Sequence, residues 1–106
     1  MTDAIVVLCT CPNEVSAREL AHTLLNEKLA ACVNLIPQVT SLYIWQGKME
    51  ESPEIQLVIK SRRTLFGILQ QRIQAIHPYD VPEILALPVM TGNTAYLAWL
   101  QEQTTP

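Results

Sequence analysis

Five side chains in this 106-residue chain carry the donors that soft and borderline metal ions prefer, namely Cys9, Cys11, Cys32, His22 and His77. On a strand, residues two apart face the same way, so Cys9 and Cys11 would converge if extended backbone ran through Cys11. Pro12 follows directly and argues for an earlier end. A second polar concentration is His77-Pro78-Tyr79-Asp80-Val81-Pro82-Glu83, where acids, a phenol and an imidazole share one short segment. Each group also has a plainer reading. A cysteine in an apolar strand is commonly an inert core residue. A histidine at a helix end commonly supports the last carbonyls, and two prolines commonly stiffen a crossover. His22 falls among solvated helix residues, and Cys32 reads as packing. Cys9 and His77 would also suit a thiolate–imidazole nucleophile, but no orienting carboxylate or oxyanion loop accompanies them, which makes a thiol-dependent enzyme the weakest class. With only Gly47, Gly67 and Gly92 in the chain, there is no GxGxxG and no phosphate loop.

The elements that must position these groups follow from hydrophobic periodicity. Ala4 to Cys9 (AIVVLC) is a continuous β-branched run, predicting a strand buried on both faces. Asn13 is a candidate N-cap for an amphipathic helix with Ala17, Leu20, Ala21, Leu24, Leu25 and Leu29 on its apolar side. Cys32–Ile36 and Val39–Trp45 read as extended, with Pro37 marking a bulge or sheet edge. Gln46-Gly47-Lys48 predicts a hairpin turn with positive φ at Gly47. Glu54–Ser61 returns as a strand with Ile55, Leu57 and Ile59 on one face, making a long antiparallel ribbon. A second helix is expected over Thr64–Ile76, stopped by Pro78, then a short strand over Glu83–Leu87 and a last helix over Thr94–Gln101. The order β-α-β-β-α-β plus a helix, with right-handed crossovers, is the ferredoxin-like α+β arrangement in a single domain over residues 1–106. Two helices cover one sheet face. The final helix covers part of the other, leaving the rest for a second subunit.

Composition limits the function classes. The chain is 49% hydrophobic and only 16% charged, with ten acidic and seven basic residues. That is the opposite of a disordered tail, and it offers no basic patch for nucleic acid beyond Arg62-Arg63. The longest apolar run is far short of the roughly 20 residues that a membrane helix needs, so neither nucleic acid nor membrane is an expected partner. An odd number of cysteines without a CxxC pair argues against a disulfide framework. With acidic Asp3 and no cation before Arg18, no secretory signal is expected, and a reducing cytoplasm is the expected location.

The chain resembles the CutA family of divalent-cation-tolerance proteins. The matching residues are Val6-Val7-Leu8-Cys9-Thr10, Glu27 to Asn34, Ser41 to Lys48 with Glu50, Lys60, His77-Pro78-Tyr79-Asp80-Val81-Pro82-Glu83-Ile84, and Tyr96 to Leu100. These blocks run in order over nearly the whole chain. The resemblance implies a cytosolic homotrimer of ferredoxin-like subunits, joined through the long hairpin strands, with a link to copper and other divalent ions. It favours Cys9 and His77 as metal ligands. Where several relatives carry a second histidine before that position, this chain has Ile76, which removes a nitrogen donor. The expectation is therefore a non-enzymatic homotrimer that holds copper(II) or another divalent cation weakly, with no organic cofactor. Tyr43 and Trp45 near the hairpin tip are the expected trimer anchors. Lys60, Tyr79 and Glu83 are candidates to line a cleft between subunits. The rival class is a sensor resembling the trimeric PII signalling proteins, binding an effector between subunits. Against it stand a short hairpin loop and few cations to hold a phosphate.

Overall fold

The computed structural model describes residues 2–106. Its first strand, β1 (Ala4–Cys11), is followed by α1 (Glu14–Asn26), whose Asn13 side chain accepts from the Ser16 N–H as the expected N-cap. Strands β2 (Cys32–Trp45) and β3 (Lys48–Arg62) make the ribbon, α2 (Phe66–Ile76) follows a single 3₁₀ turn at Arg63–Leu65, and β4 (Leu85–Pro88) and α3 (Thr94–Gln103) complete the chain. The four strands lie in the order β2-β3-β1-β4 with every neighbour antiparallel, so the split crossovers place α1 and α2 on one face.

Period-2 alternation then divides the residues. Ile5, Val7, Cys9 and Cys11 on β1 face the helices together with Leu57 and Ile59 of β3, against Leu20, Leu24, Leu69 and Ile73, and most of these are fully buried. The opposite face carries Val6, Leu8 and Val58, with Leu85 and Leu87 of β4 about half exposed beside them. Only its end is closed, where Leu100 of α3 meets Ala4 and Ala31.

Several sequence boundaries move. The first strand continues past Cys9 to Cys11, because Thr10 and Cys11 keep pairing with Gln56 and Ile55, and Pro12 begins only after that ladder ends. The last strand starts at Leu85 rather than Glu83 and includes Pro88, which an edge position tolerates because its missing N–H need not join a ladder. On α3, Leu100 and half-buried Leu97 make the contact with the sheet, whereas Ala95 and Ala98 face outward.

The ribbon is the feature that sets the shape. Ile36 pairs with Gln56 and Val39 with Glu54, so Pro37 and Gln38 together oppose one residue, the bulge that Pro37 marks in the sequence. At the tip, Gln46 (φ 50°) and Gly47 (φ 79°) both take positive φ, the two-residue turn whose twist matches the flanking strands. Beyond the bulge β3 pairs, among the described residues, with β2 alone. The molecule is therefore 44 Å long with a radius of gyration of 14.3 Å, against about 13 Å for a rounded chain of this size.

Candidate functional site

The continuation of β1 through Cys11 creates the first site. Cys9 and Cys11 point into the helix-covered layer, and the residue that ends α2, His77, reaches across to them. Ligand atoms of Cys9, Cys11 and His77 all lie within 4.8 Å of one another, and all three residues are buried. The Cys11 Sγ–His77 Nε2 separation is 3.7 Å, whereas a sulfur and a nitrogen on one tetrahedral zinc ion stand about 3.6 Å apart. The spacing and donor types suit a thiophilic ion.

The hydrogen bonds at His77 decide what such an ion would displace. The backbone N–H of Tyr79 donates to His77 Nδ1 (3.0 Å), which makes Nδ1 the bare nitrogen. His77 Nε2–H therefore donates to the Thr10 carbonyl, 2.7 Å away. The ring does not serve the α2 carbonyls. It ties the end of α2 to β1, with its proton on the nitrogen nearest the thiols. The thiols are likewise set against each other. The Cys9 thiol is pushed far above its ordinary range, chiefly because it donates to Cys11, then by burial and by the negative charge of its neighbours. Cys11 is drawn below its ordinary range by accepting that bond, with a smaller contribution from Ser16, while burial opposes it. One proton thus leaves this pair readily and the second does so with difficulty.

A second feature lies alongside. A cleft of about 680 Å³ opens between the ribbon, with Tyr43 and Trp45, and the loop after α2, with Tyr79, Asp80 and Glu83. Glu54 also lines it, and the Tyr79 hydroxyl donates to Glu54 Oε2 at 2.8 Å. Burial and this bond push the Tyr79 phenol well above its usual range, so it stays a donor.

The sequence candidates are therefore distributed over three places. Cys9 and His77 do meet, and Cys11, doubted because of Pro12, joins them. Tyr79 and Glu83 share the cleft with Tyr43 and Trp45, but Lys60 lies elsewhere, with its ammonium on Asn34 Oδ1 and 3.8 Å from Cys32 Sγ. Glu54, which no sequence motif singled out, is the buried acid among the residues that line the cleft. In the sequence it is one of several polar residues alternating with Ile55, Leu57 and Ile59, which gives it no signal of its own. His22 is exposed on α1, as expected.

An antiparallel ferredoxin-like sheet with a buried thiol–imidazole cluster at the end of its first strand defines the class. Its family is equally plain: residues 5–103 match the family model described as "CutA1 divalent ion tolerance protein", and the chain belongs to that family. It is 50% identical over 99 residues to the divalent-cation tolerance protein CutA of Thermus thermophilus, covering 93% of this chain and 96% of that one. A crystal structure of CutA from Xylella fastidiosa superposes with a TM-score of 0.96 at 38% identity, covering 98% of this chain and all (100%) of that one. The structure of CutA1 from Oryza sativa gives 0.95 at 44% identity, covering 98% and 95%. The family is named for ion tolerance and not for a reaction.

Proposed function

We propose that this protein takes part in the response to divalent metal ions as a non-enzymatic homotrimer that holds a thiophilic ion, copper or zinc, weakly at Cys9, Cys11 and His77. The observation that carries the metal reading is the convergence of two thiols and an imidazole in one buried place. An ion there would supply charge to stabilise thiolates. The chain's own part is to surrender the Cys9 proton and to free His77 Nε2, whose proton would pass to Nδ1 as the bonds to the Thr10 carbonyl and from the Tyr79 N–H are given up. Both steps cost free energy, which is the physical reason that binding is weak. A reducing cytoplasm suits the site, because its thiols must stay free.

The homotrimer is supported by what one chain leaves uncovered. Leu42, Ile44 and Met49 on the ribbon are 63–70% exposed and Tyr43 and Trp45 are 41% and 52% exposed, while Leu85 and Leu87 stand open on the sheet face. A projecting ribbon with free edges invites strand pairing, and head-to-tail pairing around a closed ring leaves no edge over.

Anaerobic calorimetry tests the metal reading, with zinc(II) as a redox-silent probe beside copper(II). Cys9→Ser combined with His77→Ala should abolish the saturable isotherm. An isotherm unchanged in that variant would move binding to surface carboxylates and end the proposal.

A further inference from the structure

The cleft beside the ribbon uses neither thiol, and its chemistry differs from that of the metal cluster. One of its lining residues, Glu54, is only 7% exposed. One carboxylate oxygen, Oε2, takes the Tyr79 hydroxyl, whereas Oε1 has no hydrogen-bond partner among the described residues. No fully enclosed side-chain oxygen among the described residues lacks a partner. Oε1 must therefore be reached from outside, and the cleft that Glu54 lines is the route. Among the described residues no lysine, arginine or histidine lines this cleft, and no ion pair involves Glu54. With one oxygen tied to Tyr79 and the other open to a cleft where the described residues supply no cation, the charge of this carboxylate is left for something from outside to pair.

The surroundings indicate what kind of cation. Asp80 and Glu83 add two exposed carboxylates, and Tyr43, Trp45 and Tyr79 add three aromatic rings. A calcium or magnesium ion demands at least six oxygens gathered at about 2.0–2.6 Å. These acids are not gathered: among the described residues, the thiol–imidazole cluster is the one group of three such side chains whose ligand atoms converge. Carboxylates spread over an aromatic-walled cleft match positive charges spread along a molecule, with CH₂ groups or ammonium hydrogens against the rings. The size, about 680 Å³, suits a small organic ligand.

We infer that this cleft binds a small organic polyammonium molecule, with one ammonium on Glu54 Oε1, the others toward Asp80 and Glu83, and the chain between them against Tyr79 and against Tyr43 and Trp45, which are also contacts of the proposed homotrimer. The site is independent of the thiol–imidazole cluster, so the failure of metal binding there would leave it standing.

The test is a titration of the assembled protein with spermidine at low ionic strength, followed by calorimetry and by the NMR signals of the Trp45 indole and the Tyr79 ring. Expected are saturable binding of one molecule per chain, shifts at both rings, and an affinity at least tenfold lower in Glu54→Gln, which keeps an acceptor for Tyr79. Glu19→Gln, an exposed acid on α1 outside the cleft, should bind as the unaltered protein does. If Glu54→Gln fails to fold by circular dichroism, Glu83→Gln replaces it, with a loss of at least threefold expected. Three results would overturn the inference: no saturable binding, which is also the outcome if a cationic side chain of a second copy fills the cleft; an affinity indifferent to both substitutions; or magnesium at matched ionic strength displacing spermidine better than sodium does.

Discussion

The two halves of β3 share one partner, β2, yet sit in opposite physical situations. From Ile55 to Arg62 the strand is also paired with β1, and its Leu57, Ile59 and Ser61 side chains are fully buried under the helix layer. From Lys48 to Glu54 it has β2 alone, and the apolar side chains there stand mostly in water. The inner half stabilises a single chain by burial, at about 25 cal/mol for each Å² of apolar surface removed from water. The outer half gains little until something covers it, because an isolated two-stranded ribbon is marginal. The thiol–imidazole cluster belongs to the inner half, where its side chains are held by packing. The cleft belongs to the junction, where a buried acid meets an open wall.

The largest expected effect would break this contrast from the outside. Replacing Tyr43 and Trp45 together by alanine should weaken assembly by about 3–6 kcal/mol, since two large aromatic anchors are removed from the proposed contact. Sedimentation at micromolar concentration would then show smaller particles, and an undiminished homotrimer would show that the ribbon aromatics serve only their own chain. Ile73→Ala attacks the inner half. It opens a cavity in the buried layer that also holds Cys9 and Leu57 and should cost about 2–5 kcal/mol in urea unfolding. A cost below that of the Gly47 change below would mean the inner layer is not the self-sufficient part.

The next effect sharpens the chemistry of the inner half. With the Cys9 thiol held far above its ordinary range, an ion must displace its proton throughout pH 6 to 9. Apparent zinc affinity should therefore rise with pH by up to about tenfold per unit, close to 1.4 kcal/mol, and fall as the solution is acidified. A flat profile would mean that Cys9 is not a ligand. The smallest effect is at the ribbon tip. Gly47→Ala forces a side chain into φ 79°, although nothing crowds its Cβ, and should cost about 1 kcal/mol in thermal unfolding without changing metal affinity.

Much of the architecture was legible in the chain. The β1 run, the Asn13 cap, the bulge at Pro37, the turn at Gly47 and the stop before Pro78 all act through local backbone chemistry, and each appears where its residues are. The candidate site was legible only in part. Pro12 pointed to an early end for β1 and so separated Cys11 from Cys9, but whether a strand continues depends on whether its partner continues, and β3 does. Glu54 looked like one more polar residue alternating along a strand. Within one chain, Lys60 shares the polarity of Tyr79 and Glu83 but not their place, because polarity carries no address.

By itself, the sequence determined the order of elements, the family, and the residue types available for chemistry, because periodicity, capping and turn preferences act over a few neighbouring residues. Only the tertiary structure decided which of those residues meet. Distances between β1 and the end of α2, or between Glu54 and Tyr79, are set by strand pairing and helix packing between segments far apart along the chain. That is why His77 comes to rest against the Thr10 carbonyl and the two thiols, and why one buried carboxylate is left with an oxygen open to a cleft.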